Sequence, residues 1–155
     1  MMERTLILIK PDALQRGLVG KVMTYFENKG LKLVGNKMMQ LDDAILNEHY
    51  SHLVTKPFFK GIADFMKSAP VMAQCWEGND AVKVVRNLCG ITNARDAAPG
   101  TIRGDLAMSV MCNLVHASDS SETALVEVPR FFKSEELFNY DKKNYAVIYA
   151  DDEKK

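Results

Sequence analysis

The sequence predicts one mixed α/β layer fold. Apolar stretches short enough for strands alternate with stretches whose apolar residues recur at helical spacing, in the order β-α-β-α-α-β-α-loop-β-α. The chain has 155 residues and an apolar fraction of 47%, ordinary for a globular protein. That length suits one core and no second domain, so residues 1–155 read as a single domain able to bury roughly two thirds of its unfolded surface.

Residues 5–9 form an uninterrupted apolar run rich in β-branched side chains and stopped by Pro11, as expected of a central strand covered on both faces. Leu18, Val19, Val22, Met23 and Phe26 fall at helical spacing, and Gly30 is placed to end that helix. Residues 31–41 are a weaker strand candidate with Gly35 inside it. Asp42 then caps a helix carrying Ile45, Leu46, His49 and Tyr50. After Pro57 the pattern predicts a short amphipathic helix over 58–66, and after Pro70 a strand over 71–76. Asn79 is placed to cap a helix bearing Ala81, Val82, Val85, Leu88 and Cys89, which Gly90 ends. Asp119 and Glu122 have capping-box spacing for a last helix, which Pro129 should terminate or bend. Residues 151–155 look like a frayed charged tail.

Between Gly90 and Asn113 lie more than twenty residues without clear periodicity, holding Pro99-Gly100 and Arg103-Gly-Asp105. Structureless loops of that length are uncommon in compact domains and are usually functional or disordered. The apolar residues Ile91, Ile102, Leu106, Met108 and Val110 argue for a packed functional loop.

Charge narrows the function. Twenty basic and twenty acidic residues give zero formal net charge, which speaks against a dedicated nucleic-acid binder. Cys75, Cys89 and Cys112 lack CxxC spacing, so neither a disulfide framework nor a zinc site is suggested; isolated thiols fit a cytoplasmic protein. A secretory leader and an apolar run long enough to span a bilayer are both lacking, so a soluble protein without membrane partners is expected. Neither GxxxxGK[ST] nor GxGxxG is present.

Several residues suggest chemistry. His116 stands between the apolar end of a short strand and a helix start; a neutral imidazole is a good nucleophile, and the helix dipole would favour an anion beside it. A structural histidine is the alternative, as caps are for Ser118, Asp119 and Ser120. Lys10 must emerge at the end of its buried strand, where ligands often bind. Arg86, Thr92 and Arg103 suit a polyphosphate, since each guanidinium offers forked donors, although singly each also suits a surface ion pair. Phe58 and Phe59 adjoin, so one can offer a ring to a flat ligand or to a subunit contact. His49 and His52, at i, i+3, lack a third metal ligand at sensible spacing.

Together these pieces resemble the nucleoside diphosphate kinase family from about residue 4 to 149. Thr5-Leu-Ile-Leu-Ile-Lys-Pro-Asp12, His49-Tyr50, Pro57-Phe58-Phe59, Trp76-Glu77-Gly78, Gly100-Thr-Ile-Arg-Gly-Asp105 and the stretch from Asn113 to Ser120 occur in the family's order. The resemblance implies a ferredoxin-like sandwich around a four-stranded antiparallel sheet. It implies a phosphotransferase that moves the γ-phosphoryl of ATP to a nucleoside diphosphate by a ping-pong route through phosphohistidine. His116 would accept the phosphoryl on Nδ1, with Glu127 on the other ring nitrogen. Lys10 and Tyr50 would approach the transferring group. Phe58, Ile62 and Val110 would flank the base, Lys10 and Asn113 the sugar, and Arg86, Thr92 and Arg103 the phosphates. Mg²⁺ would arrive on the nucleotide. Stacking without base-edge contacts implies broad base specificity.

Two positions depart from the family pattern. Ala117 replaces a common Gly and would be strained if φ were positive there. Ala94 stands where many members have Pro, which would loosen the loop and the oligomer. Residues 144–149 resemble the longer C-termini of hexameric members, so a homohexamer is favoured over a tetramer. The competing classes are a nucleotide-binding scaffold without catalysis and a DNA-binding regulator. The presence of His116 with its expected polar neighbours disfavours the first, and the charge balance the second.

Overall fold

The computed structural model describes residues 2–154. Eight residues of β1 (Met2–Ile9) run up the middle of the sheet, and its last four, Leu6, Ile7, Leu8 and Ile9, are fully buried. Successive strand side chains point to opposite faces, so this run demands apolar cover on both sides. Ile7 and Ile9 join a core with Val22 and Phe26 of α2 (Val19–Lys29) and Val85 and Cys89 of α5 (Ala81–Cys89). Leu6 and Leu8 join a second core with Leu46 of α3 (Asp43–His49), Met66 of α4 (Phe59–Lys67) and Phe131 of α7 (Ser121–Phe131).

The sheet order is β2-β3-β1-β4, with β2 (Lys32–Met39), β3 (Val71–Asn79) and β4 (Val115–Ala117). All three pairings are antiparallel, so β1 and β2 run in the same direction with β3 between them, and β3 and β4 do the same around β1. Each half is therefore a strand–helix–strand crossover that skips one position, which is the ferredoxin-like arrangement. The two cores lie on opposite faces of this one sheet.

Several expected ends hold. Gly30 closes α2 in the left-handed region at φ 97, and Asp42 caps α3 by accepting from the Ile45 amide at 2.9 Å. Gly35 has a packing reason: β2 bulges between Leu33 and Gly35, and a Cβ there would sit 2.8 Å from Leu137 and 3.0 Å from Phe132.

Other ends move. Asn79 is the last residue of β3 rather than the cap of α5; Asp80 takes the cap position, and Glu3 from β1 accepts the Val82 amide at 2.9 Å. Ser120, not Asp119, caps α7 by accepting from the Thr123 amide at 3.1 Å, because Asp119 is drawn to Arg86 instead. Pro129 lies inside α7, which continues to Phe131, since packing of Val128 and Phe131 outweighs the missing donor. A five-residue α1 (Pro11–Gln15) follows β1, too short to register as a periodicity. The long loop contains a 3-10 turn at Ala94–Asp96 and α6 (Ile102–Leu106), with Ala94 and Ile102 buried in the first core.

After α7 the chain returns across the β2 edge. The Phe138 amide donates to Val34 O at 2.7 Å, and Lys142 Nζ bonds Gly30 O at 2.8 Å and Leu31 O at 2.6 Å. Following α8 (Tyr145–Ile148), residues 151–153 form a 3-10 turn whose Glu153 carbonyl accepts from Asn79 Nδ2 at 2.8 Å, so the tail is tied down through that point; Lys155 lies outside the described residues.

Phe26, fully buried, packs against Trp76 with ring centroids 5.3 Å apart. Phe26→Ala should cost about 3–5 kcal/mol in urea unfolding, since the cavity opens in the first core; a loss below about 1 kcal/mol would contradict that packing.

Candidate active site

His116 is the middle residue of a three-residue strand, and the register pairs it with Leu8. Short strands need pinning at their ends. Here the Lys10 amide donates to Leu114 O at 2.8 Å, and Asp12 Oδ2 accepts from the Leu114 amide at 3.1 Å. Leu114 is held at φ 72, a conformation costing an L-residue roughly 1–2 kcal/mol. Its fully buried side chain and the Asp12 bond hold it there. Ala117 is not among the described residues at positive φ; it lies in extended β4, so its methyl brings no backbone strain.

Behind the imidazole stands a carboxylate. His116 Nε2 lies 3.1 Å from Glu127 Oε1, and Glu127 Oε2 accepts from Ser118 Oγ at 2.5 Å. The Ser118 hydroxyl in turn accepts from the Leu6 amide at 3.2 Å. Burial alone would raise the Glu127 carboxyl, but the bonds and charge from His116 and the Ser118 bond outweigh it and hold it below the usual carboxylate range. An ionised carboxylate can only accept, so the ring proton belongs on Nε2 and Nδ1 keeps its lone pair. Ser118 sits two residues beyond His116 on an extended segment and shares its face, a signal the sequence contained.

In front lies a cationic cleft of about 200 Å³ lined by Lys10, Tyr50, Arg86, Thr92, Arg103, Asn113 and His116, with Asp119 at its rim. Buried Asn113 organises it: Oδ1 accepts from Lys10 Nζ at 2.7 Å, and Nδ2 donates to Thr92 O at 2.9 Å. Arg103 is tied to backbone carbonyls through Nε to Asn113 (3.3 Å), Nη1 to Gly90 (2.7 Å) and Nη2 to Val115 (2.6 Å). It thus staples both ends of the long loop to β4 and has only its remaining N–H groups for a ligand. Arg86 pairs with Asp119. Burial and the Glu127 carboxylate push the Tyr50 phenol well above its usual range, so it stays a donor. Phe58, Ile62 and Val110 line neither this cleft nor the one behind His116; Phe58 and Val110 are exposed, and Ile62 packs on the second core.

The cleft behind, about 620 Å³, is lined by His49, Tyr50, His52, Glu127 and Arg130 as well as His116. The third partner that His49 lacks in sequence exists in space: donor atoms of His49, His116 and Glu127 lie within 4.8 Å of one another. Arg130 donates into His49 Nδ1 at 3.3 Å, and both Glu127 oxygens are hydrogen-bonded, so the trio is a hydrogen-bond network rather than a metal centre.

A family model for nucleoside diphosphate kinase matches residues 3–137. The chain is 59% identical over 152 residues to a nucleoside diphosphate kinase of Parabacteroides distasonis, covering 98% of this chain and 99% of that one. Its fold matches a halophilic nucleoside diphosphate kinase from Halobacterium salinarum in complex with CDP at a TM-score of 0.94, with 45% identity and coverage of 97% and 100%. A transition-state mimic of the enzyme from Borrelia burgdorferi, with bound vanadate and ADP, matches at 0.89, with 34% identity and coverage of 94% and 96%.

Burial, followed by the charge of Arg103, lowers the Lys10 ammonium from 10.5 to about 8, with Asp12 opposing. A polyphosphate entering the cleft would favour the charged form and raise it again. Titration calorimetry with ATP at about pH 9, in buffers of differing ionisation enthalpy, should register proton uptake that fades below about pH 7, where Lys10 is already charged. Proton release at pH 9 would contradict the cleft's electrostatics.

Proposed function

Because the chain belongs to the nucleoside diphosphate kinase family, we propose that it transfers the γ-phosphoryl of a nucleoside triphosphate, chiefly ATP, to a nucleoside diphosphate through a phosphorylated His116. The observation that carries this is the pairing of His116 Nε2 with Glu127, which leaves Nδ1 nucleophilic beside a cleft of three cationic side chains. The Nδ1 lone pair attacks the γ-phosphorus, the bond to the β-phosphate oxygen breaks, and the diphosphate leaves. An incoming diphosphate then takes the group from nitrogen by the reverse displacement. Such transfers depend on alignment and on spreading charge away from the phosphoryl oxygens, and Lys10, Arg86 and Arg103 supply that here. Tyr50, held protonated, donates toward the same group. Glu127 compensates the positive charge that grows on the ring.

Thr92 and Asn113 complete the phosphate and sugar contacts, while Phe58, Ile62 and Val110 receive the base from the open side. Half-exposed Phe58 offers a ring face to any base, which supports broad specificity. The phosphate cleft has one carboxylate, Asp119, already engaged by Arg86, so its donor set suits Mg²⁺ brought in by the phosphates rather than a protein cage. When bound, that ion would neutralise phosphate charge.

We place the protein in the cytoplasm; none of the described helices is long and apolar enough to cross a membrane. A homohexamer is the assembly we favour. The exposed Met108, Leu125 and Val147 give apolar surface for subunit contacts, and sedimentation equilibrium at six times the chain mass is the expected result.

Incubation with labelled ATP should yield a phosphoprotein stable in alkali and lost in acid, and His116→Ala should abolish both the label and ATP-to-GDP transfer. Transfer surviving in His116→Ala would eliminate this mechanism.

A further inference from the structure

We infer that Arg130 is a positioning residue for His116, acting by occupying the Nδ1 lone pair of His49 and so reserving Glu127 Oε1 for the phosphoryl-accepting ring. This rests on His116 being the nucleophile.

One carboxylate oxygen faces two imidazoles. Glu127 Oε1 is 3.1 Å from His116 Nε2 and 3.7 Å from His49 Nδ1. The two rings stand edge to face, with centroids 4.5 Å apart. Were His49 protonated on Nδ1, it would compete for that oxygen, and with both nitrogens protonated it would add a positive charge beside His116. Arg130 prevents this. Its Nη1 lies 3.3 Å from His49 Nδ1, and a guanidinium can only donate, so that nitrogen is an acceptor and the His49 proton is confined to Nε2. His49 Nε2 is buried without a hydrogen-bond partner among the described residues, so a proton there is unsatisfied and would favour Nδ1 were the Arg130 contact absent. Glu48 fixes Arg130 from outside, accepting from Nε at 2.8 Å.

The groups facing His49 are His116 on β4, Glu127 and Arg130 on α7, and Tyr50 and His52 just beyond its own helix. Phe131 adds an apolar edge at 5.1 Å. Burial first, then His116, then Arg130 and His52 against the opposing Glu127, bring the His49 imidazole down to about 3. The folded protein thus keeps His49 neutral wherever the enzyme would work. His49 and Arg130 are 81 residues apart, and neither touches the phosphate cleft.

The test replaces Arg130 by Met, which keeps bulk and removes charge. Ring-nitrogen NMR of the histidine-labelled full chain should show His49 titrating at higher pH than in the unaltered protein. Rapid-quench phosphorylation of His116 by ATP with Mg²⁺ should fall several-fold at pH 8, where a neutral His49 is then free to carry its proton on Nδ1 and take Glu127 Oε1, and should fall at least as far at pH 5.5. Arg130→Lys, which keeps a charged donor, should restore most of the profile. Arg130→Met with His49→Phe removes the competing ring nitrogen and should abolish the loss. An unmoved His49 titration, an undiminished rate at pH 8, or a loss that persists in the double variant would each overturn the inference. The ring titration needs no turnover, so it judges Arg130 even if the unaltered protein fails to phosphorylate His116, a result that would sink the functional reading alone.

Discussion

A single buried negative charge organises this molecule's chemistry. Glu127, 5% exposed, is presented by α7 to the back of β4, and its two oxygens are divided between an imidazole and a hydroxyl. A carboxylate in such a place is costly unless its hydrogen bonds are complete. The pairing that satisfies it also sets which nitrogen of His116 carries the proton. Stability and reactivity are here two descriptions of the same contact. The Ser118 hydroxyl carries the chain of bonds on to the backbone of β1, so the central strand itself takes part in fixing the charge.

The fold delivers the opposite charges to the other side of the ring. Because β1 and β4 are antiparallel neighbours, the end of β1 lies beside the start of β4, and Lys10 meets Asn113 there. Arg103 arrives from the long loop and ties Gly90, Asn113 and Val115 together, so the segment that lacks periodicity is anchored by its most polar side chain. Cations therefore stand in front of the imidazole and an anion behind it, a gradient along which negative charge can be accepted and passed on.

Much of this was legible in the sequence. Uninterrupted apolar character marked β1 as doubly covered, and the resemblance brought Lys10, Arg86, Thr92, Arg103, Asn113 and His116 to one place. Misplaced caps have a common cause: Asn79 and Asp119 have the right chemistry for caps, but tertiary partners claimed them, leaving Asp80 and Ser120 to begin the helices. Helix α6 was hidden because five residues make little more than one turn. The His49–Arg130 contact joins residues far apart on elements that meet only after folding, and no spacing rule reports it.

The Arg86–Asp119 pair has a consequence for what the cleft will admit. The resting site carries its own counterion, so a visiting anion competes with a resident carboxylate for the guanidinium. Both side chains are largely exposed, and such a contact is worth no more than about 1 kcal/mol. A weakly charged visitor gains little from the exchange, while a polyanion gains several contacts at once. Asp119 adjoins Ser120, the cap of the helix that carries Glu127, so the front of the cleft and the support behind the ring share one stretch of chain.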